Sequence, residues 1–500
     1  MTTVFSADVL ICGAGAAGLT LAIDLARRGI SFRLIERMAV PFPGSRGKGI
    51  QPRSLEVFED LGLLDRLFAA GGPYPVERKY RGDGGFADHA IIAHQDPTPA
   101  EPYPMPLMVP QFRTEGVMRE RLLELGQRPQ FDCALTGFEQ DAHGVTAHLG
   151  AESVRVHYLI GADGGRSLVR KTLGIGFEGK TLGVRGLVAD VALTGLARDA
   201  WHRFNDGDMD KQIMICPLAG TDLFQIQAPI PADGEIDLSA GSLSTMVAVR
   251  TGRDDIRIQS VSWASAYSMN ARLADRYRVG RVFLIGDAAH IHPPTGGQGL
   301  NTSVQDAYNL GWKLEAALRG APDALLDTYE AERQPIAAEM LGLSTKLLDA
   351  AKQGDIRRGR EVRQLDLGYR DSSLSLEEPN RKAGLRAGDR APDARLRIGP
   401  DRSVRLFELF QGPHWTLLGD AVARARTRPR PGLRVHVIGP QGDCADAFGD
   451  FRATYGTEAG DWILVRPDGY VGAIVSSDQM ASLERYFGSV GLSIAAATHA

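Results

Sequence analysis

Residues 280–314 read GRVFLIGDAAHIHPPTGGQGLNTSVQDAYNLGWKL. The apolar run from Val282 to Ile285 predicts a buried strand that ends at Gly286-Asp287, and a carboxylate there lies where α/β sheets bind ligands. The prolines and glycines of residues 293–299 exclude regular structure and let the backbone approach a flat ligand closely. From about Asn301 the apolar spacing becomes helical. Bare N–H groups at the start of such a helix favour an electron-rich partner.

A second motif lies near the amino end. A short apolar strand is followed by GAGAAG at residues 13–18, by a helical pattern, and by Glu36 about 20 residues further on. In this setting Gly13 allows a tight turn, Gly15 lets a pyrophosphate approach, and Gly18 lets helix and strand pack closely. Glu36 would accept hydrogen bonds from a ribose. The context predicts dinucleotide binding, whereas the glycines alone would also fit a structural turn.

The third motif is GADGGRS at residues 161–167, with Arg170 after it. It follows an apolar strand at residues 158–160 and precedes a short helical stretch. On its own it would fit an ordinary Asp-Gly turn. Three such motifs in one chain instead indicate one dinucleotide held along its whole length.

With these motifs the chain resembles the class A flavoprotein monooxygenases, the FAD-dependent aromatic hydroxylases, over about residues 5–345. The resemblance implies non-covalent FAD, with the first motif on its diphosphate and ribose. It links Asp163 to FAD and the pyridine nucleotide, and Asp287 to the ribityl chain. Arg46 and Gln111 match a family arginine near the flavin and a family glutamine on the ribityl–phosphate region. The predicted FAD-binding residues are Gly13, Gly15, Ala17, Gly18, Glu36, Arg37, Arg46, Gln111, Asp163, Asp287, Gly299, Leu300 and Asn301.

The resemblance also implies the reaction. NAD(P)H would reduce the FAD, O2 would add to give a flavin hydroperoxide, and one oxygen atom would pass to a phenolic or polycyclic aromatic substrate. Arg46 and Pro293 are the predicted catalytic residues, and backbone N–H groups of residues 299–301 would stabilise the reduced ring. Phenol-hydroxylase-like relatives carry a carboxylate near the position of Lys48. The residue that deprotonates the substrate therefore stays open.

Two other functions are compatible with the same sequence. The fold could carry out epoxidation or Baeyer–Villiger oxygenation, or the chain could be a non-catalytic, FAD-dependent binder of an aromatic product. Turnover separates the binder from the hydroxylase.

A metal site is a further alternative. Asp287, His290 and His292 supply a carboxylate and two histidines, as in non-haem iron oxygenases. However, His-x-His in a loop before two prolines is not the spacing of a rigid metal face. We therefore predict packing or hydrogen-bonding histidines and no metal.

Composition limits the class of protein. The chain has 500 residues and a formal net charge of −4, which predicts about three domains and argues against a dedicated nucleic-acid binder. Its 4 cysteines form no C-x-x-C, which suits a reducing cytoplasm. No run approaches the roughly 18 apolar residues of a membrane span, and the first strand begins too early for a signal peptide. We expect a cytoplasmic protein, and a homodimer is compatible with the sequence.

We expect an α/β fold with an interleaved organisation. A Rossmann-like FAD-binding domain would comprise residues 1–75, 108–175 and 268–350, and a β-sheet substrate domain residues 76–107 and 176–267. Alternating apolar and polar residues predict substrate-domain strands at 187–193, 212–216 and 223–228. Helices are predicted at 53–68, 114–126 and 323–351, and Pro335 should kink or divide the last one.

The carboxyl-terminal part forms a separate unit in this interpretation. Residues 351–389 are a charged linker and docking segment, and residues 390–500 resemble the thioredoxin-like α/β domain of phenol-hydroxylase-like members. A working thioredoxin needs two nearby cysteines, and this segment has only Cys444. We therefore predict a structural or association role for it.

Overall fold

The computed structural model describes residues 5–81, 84–208, 210–377 and 384–492. Its first sheet has seven strands, and four neighbouring strands run parallel. Their buried portions are mostly apolar because a parallel sheet is covered on both faces. The spatial order is Arg278–Val279, Val282–Leu284, Glu152–Gly161, Ala7–Cys12 and Phe32–Ile35, with Val145–Leu149 and then Gly137–Gln140 attached to Glu152–Gly161.

The second sheet has eight strands and is mostly antiparallel. One face is apolar and packs against the helix Ala240–Thr251 through Leu243 and Val247. The three strands predicted from alternation at 187–193, 212–216 and 223–228 all belong to this sheet and are confirmed as strands. Its spatial order is His290–Ile291, Arg257–Ala274, Phe177–Thr194, Phe224–Ile230, Ile213–Pro217, Ala200–Phe204, Val76–Tyr80 and Phe86–His89.

A third, five-stranded sheet lies in the carboxyl-terminal part. Its core is continuous with the preceding helices, because Trp462 and Leu464 belong to one apolar cluster with Trp312 and Leu325. Its spatial order is Leu376–Glu377, Val471–Ser476, Asp461–Val465, Trp415–Asp420 and Leu433–Ile438. Two small sheets complete the fold: Arg395–Ile398 with Arg402–Arg405, and Gly49–Ile50, Leu107–Met108 and Gly72–Pro73.

The predicted helices at 53–68 and around Pro335 differ in outcome. The predicted helix 53–68 is two helices, Pro52–Asp60 and Leu64–Ala70, separated at Gly62, whose φ of +74° is incompatible with a continuing helix. The helix Ala324–Lys352 continues through Pro335, so Pro335 does not divide it, and the buried residues on both sides pack this helix onto the core. The kink at Pro335 stays a prediction. The other helices are Ala16–Arg27, Gln111–Glu124, Leu168–Thr172, Ala240–Thr251, Gly299–Leu318, Leu406–Phe410, Asp450–Tyr455 and Met480–Ser489.

None of the helices in the described ranges is both long and apolar enough to cross a membrane.

Candidate active site

The three sequence motifs meet at one edge of the seven-stranded sheet. The parallel strands end there side by side, and this is the edge at which α/β sheets bind ligands. A Cβ atom on Gly13 would lie 2.2 Å from the carbonyl oxygen of Ala162. A Cβ atom on Gly286 would lie 3.0 Å from the Cβ of Ala17. Glycine therefore lets the three motifs pack into a single surface.

The glycine-rich turn leaves the start of the first helix open. Gly13 has a φ of +109°, and a Cβ on Gly18 would lie 1.9 Å from the Gly13 carbonyl oxygen. A Cβ on Gly15, by contrast, would meet only the Glu115 carboxylate, at 3.9 Å. The N-cap residue Gly15 has no side chain to cap the helix Ala16–Arg27, and the Glu115 carboxylate lies at its first N–H, that of Ala16. The positive end of the helix dipole therefore faces a position that already favours an anion.

Glu36 lies at the end of the second strand and holds this turn. Its half-buried carboxylate accepts hydrogen bonds from the backbone N–H groups of Ala14 and Met38, each at 3.0 Å. The next residue, Arg37, is exposed. Glu36 therefore stabilises the turn, and its carboxylate can still accept a hydrogen bond from a ligand.

The two carboxylate oxygens of Asp163 differ in their hydrogen bonding. One carboxylate oxygen accepts hydrogen bonds from the N–H groups of Leu168 (2.6 Å) and Val169 (3.2 Å), at the start of a short helix. The other oxygen, Oδ1, is buried and has no hydrogen-bond partner among the described residues. Since buried polar atoms are normally paired, this oxygen is suited to a ligand hydroxyl.

Asp287 follows the strand Val282–Leu284 at the edge where the motifs meet. Its side chain is accessible to solvent, yet the surrounding protein raises the pKa of its carboxyl by desolvation, against the opposing charges of His290 and Arg46. The structure therefore brings Arg46 close to Asp287, and the exposed Arg46 guanidinium also lies 4.9 Å from the centre of the Phe42 ring.

Gln111 links two parts of the cleft wall. Its Oε1 accepts a hydrogen bond from the backbone N–H of Arg46 (3.1 Å), and its Nε2 donates to Glu115 Oε1 (2.8 Å). The amide is therefore held in one orientation between the loop of Arg46 and the helix Gln111–Glu124.

The helix Gly299–Leu318 begins opposite this wall. No described side chain caps it, so the N–H groups of Gly299, Leu300 and Asn301 are open. The Asn301 side chain has a structural role, because it donates to the carbonyl oxygens of Gly49 (3.0 Å) and Gly297 (2.6 Å) and accepts from the N–H of Gln51 (2.8 Å). Only the backbone of Asn301 is left for a ligand.

The two histidines form a hydrogen-bonded chain, in which His290 is buried and His292 partly buried. His290 Nε2 lies 2.6 Å from Asp306 Oδ2, and His292 Nε2 lies 3.0 Å from His290 Nδ1. Arg333 Nε donates to the other Asp306 oxygen at 2.8 Å. The prediction of hydrogen-bonding histidines is confirmed. In the described parts of the chain, no group of three or more His, Cys, Asp or Glu side chains is arranged to hold a metal. Pro293, directly after His292, is buried.

A polar face of the eight-stranded sheet covers the cleft. Trp263, Asp190, Gln225 and Cys216 form a row across four neighbouring strands, on the face opposite the apolar core; we call it the roof face. A Cβ on Gly44 would lie 2.1 Å from the Trp263 ring. The segment that carries Arg46 therefore packs directly against the roof face.

Comparison with known proteins agrees with this geometry. The family model described as "FAD binding domain" matches residues 6–344. A flavin-dependent monooxygenase of Mycobacteroides abscessus is 42% identical over 94% of this chain and 97% of its own length. The chain belongs to the FAD-dependent aromatic hydroxylase family. It is an FAD-dependent monooxygenase.

Two further proteins are similar to this monooxygenase over most of its length. A 12-dehydrotetracycline 5-monooxygenase/anhydrotetracycline 6-monooxygenase of Streptomyces rimosus is 39% identical over 93% of this chain and 94% of its own length. The crystal structure of aklavinone-11 hydroxylase, in a ternary complex with FAD and aklavinone, matches with a TM-score of 0.82 and 27% identity, over 98% of this chain and 99% of that one.

The residues of the monooxygenase fit FAD. Two helix starts whose N-cap side chains make no capping bond, an open position at Gly15 and an oxygen of Asp163 without a partner among the described residues suit a diphosphate, a flavin and a hydroxyl-bearing chain. A solvent-accessible carboxylate inside the cleft, Asp287, lies between the two helix starts.

Sequence reasoning missed two residues of the roof face, Asp190 and Gln225. Each is nearly inaccessible to solvent, at 0% and 1% exposure. A signal was present: in the strands of the second sheet the apolar residues alternate with other residues, and Asp190 is a charged side chain within an otherwise apolar run. Only the pairing of strands shows that it meets Gln225.

Proposed function

We propose that this monooxygenase uses NAD(P)H and O2 to hydroxylate a phenolic or polycyclic aromatic substrate held between the roof face and the FAD cleft. The observation that supports this most is the two-faced sheet: one side is an apolar core, and the other turns aromatic and polar side chains toward the segment of Arg46. Such a wall fits a large flat ligand with a few polar substituents. Relatives whose names include tetracycline and aklavinone compounds agree with a polycyclic substrate.

The three motifs would hold the FAD. The turn of Gly13, Gly15 and Gly18 would receive the diphosphate at the start of the first helix, with Glu36 on the ribose. Asp163 and Asp287 would bind hydroxyl groups of the ribityl side. When bound, the flavin supplies the redox chemistry and the activation of O2.

The remaining contribution of the protein is to orient the substrate and exclude water. Arg46 and Pro293 would lie beside the flavin, and the open N–H groups of Gly299, Leu300 and Asn301 would stabilise negative charge on its ring. Trp263 packs on Gly44 and lies 5.2 Å from Phe42, ring centre to ring centre. These contacts close one end of the cleft, which protects a reactive centre from solvent.

We also propose the finer division of the chain. Residues 1–75, 108–175 and 268–350 would form the FAD-binding domain and residues 76–107 and 176–267 the interleaved substrate domain. Residues 390–500 would form a thioredoxin-like domain without redox function. Its parallel pair Trp415–Asp420 and Leu433–Ile438, antiparallel pair Asp461–Val465 and Val471–Ser476, and last helix Met480–Ser489 support that comparison.

One experiment tests the proposed function. Protein purified with FAD is screened with phenols and fused-ring aromatics for stimulated NADH and NADPH oxidation, and each product is weighed by mass spectrometry. We expect a product that contains one additional oxygen atom, derived from labelled O2. Aromatic binding without turnover would instead support the non-catalytic binder, and a lactone or epoxide product would support the alternative oxygenations.

A further inference from the structure

A buried lysine occupies the join between the segment of Arg46 and the roof face. The Lys48 side chain is only 7% exposed, and its backbone carbonyl accepts the N–H of Val109. Its Nζ donates to Gln225 Oε1 at 2.7 Å and lies 4.3 Å from the centre of the Trp201 ring. The ammonium is therefore held at one point by an amide and an aromatic face.

Gln225 connects this amine to a carboxylate. Its Oε1 also accepts from Gln227 Nε2 (2.8 Å), and its Nε2 donates to Asp190 Oδ1 (3.0 Å) and to the carbonyl oxygen of Ser45 (2.6 Å). All four hydrogen-bonding positions of the amide are used. Its orientation, and with it the position of the Lys48 Nζ, is thus determined by the fold.

The same cluster contains polar atoms that the protein does not satisfy. Trp201 Nε1 is buried and has no hydrogen-bond partner among the described residues. Ser45 and the Asp190 carboxyl lie beside each other, and hydrogen bonding from Ser45 lowers the pKa of Asp190. Lys48 Nζ has one acceptor for its hydrogens. Buried polar groups are normally paired, so an indole N–H and an amine with acceptor positions left open at one place point to a ligand with an oxygen substituent.

We propose that Lys48 is the base that accepts the proton of an aromatic hydroxyl group of the substrate and then holds the resulting oxyanion. This inference rests on the proposed function and names the residue that activates the substrate. The O–H bond of the phenol breaks, an N–H bond forms on Nζ, and the oxygen keeps the electron pair. On product release the proton returns from Nζ to the oxygen. A phenolate ring is richer in electrons than a phenol ring and is the better acceptor of an electrophilic oxygen atom.

The charges around Lys48 suit this role. Burial lowers the pKa of its ammonium, Cys216 and Asp190 oppose that effect, and Arg358 adds to it. Burial also raises the pKa of the Asp190 carboxyl, against the hydrogen bonds of Gln225 and Ser45 and the charge of Lys48. A lowered pKa increases the fraction of the Lys48 amine that carries no extra proton at a given pH, and this is the form that accepts a proton.

The test compares wild type with Lys48→Met and Lys48→Gln, two non-basic side chains of similar length. The probes are 2-naphthol and the more acidic 1-nitro-2-naphthol, whose neutral and ionised forms absorb differently. Each is titrated with FAD-loaded enzyme across pH without NAD(P)H, so that ionisation of the bound probe is read without turnover. Lys211→Met, at an exposed lysine, is the matched control.

We expect wild type and Lys211→Met to bind 2-naphthol as its anion well below the pKa of the free compound. In both Lys48 variants the apparent pKa of the bound naphthol should rise by at least about one unit. In the same variants the turnover of 2-naphthol should fall about 10²-fold. The turnover of the nitronaphthol, which is already ionised, should fall much less.

The outcomes separate the two proposals. Three results would overturn the role of Lys48 and leave the monooxygenase assignment intact. The first is that wild type and both Lys48 variants all bind naphthol as the anion. The second is that the variants lose turnover equally with both naphthols, and the third is that wild type binds only neutral naphthol. Failure of the broad aromatic screen to stimulate NAD(P)H oxidation would count against the proposed function, and the pH titration of bound naphthol would still decide the inference.

Discussion

Arg466 donates to both carboxylate oxygens of Glu332, at 2.7 and 2.8 Å, and neither side chain is exposed to solvent. Glu332 lies in the long helix Ala324–Lys352, and Arg466 follows a strand of the carboxyl-terminal sheet. Lys313 also bonds Glu332 at 2.7 Å, and Asp468 bonds Arg466. The carboxyl-terminal part is therefore joined to the helices beside the FAD cleft by a desolvated charge network.

Arg466→Met should destabilise the protein by about 3–5 kcal/mol, because it leaves Glu332 buried with only Lys313 as its cationic partner. Urea unfolding followed by circular dichroism measures this. Arg485→Met is the control, at an arginine of the same region that donates an exposed hydrogen bond to Ser482. This variant should stay within about 0.5 kcal/mol of wild type. Equal midpoints for the two variants would contradict the importance of the network.

Stability should fall in acid. Burial by itself raises the pKa of Glu332, but Arg466 and Lys313 outweigh it and hold that pKa far below its usual value. The stabilisation is therefore complete above the unfolded pKa of about 4.3 and is lost as the pH falls toward the lower folded value. In urea titrations from pH 7 to pH 3, the stability difference between wild type and Glu332→Gln should shrink. A constant difference would show that Glu332 does not titrate in this way.

Asp287→Ala should lower flavin occupancy and leave metal content at background. Loss of the acceptor for a ribityl hydroxyl corresponds to about 1–3 kcal/mol of binding free energy. The flavin-to-protein absorbance ratio and elemental analysis measure both quantities, and Asp254→Ala, at an exposed aspartate, is the control. Stoichiometric iron in the wild type, with no flavin, would refute the assignment of this site.

Glu36→Ala should weaken FAD retention by a similar amount, about 1–3 kcal/mol. Part of the loss would come from the turn itself, since Glu36 also accepts the N–H groups of Ala14 and Met38. Glu36→Gln keeps an acceptor and should lose less. Fluorescence titration of the apoprotein with FAD gives both affinities; identical values for Glu36→Ala and wild type would remove Glu36 from the ribose site.

Cys444→Ser should leave the hydroxylation rate unchanged. All four cysteines are free, and burial, with Asp443, raises the pKa of the Cys444 thiol, so its nucleophilic thiolate form is disfavoured. The measurement is coupled NAD(P)H oxidation with an accepted substrate, at matched flavin content. A large loss of rate in a folded variant would point to a thiol role for the carboxyl-terminal domain.

The sequence alone determined the elements whose signal is local. The strand before Gly286, the glycine turn at residues 13–18 and the alternation at 187–193 depend on residues close together in the chain, so periodicity and backbone sterics suffice to predict them. The break at Gly62 was not predicted, and of the two outcomes predicted for Pro335 the division of the helix does not occur. Both outcomes depend on how far tertiary packing offsets the local preference of the backbone.

The tertiary structure decided which distant side chains share an environment. Lys48, Gln225 and Asp190 meet only because a loop of the FAD cleft lies on paired strands far along the chain. Arg466 and Glu332 meet only because the carboxyl-terminal sheet packs against the helix Ala324–Lys352. Charge, burial and pKa at these sites depend on distances through space, for which sequence spacing carries no information.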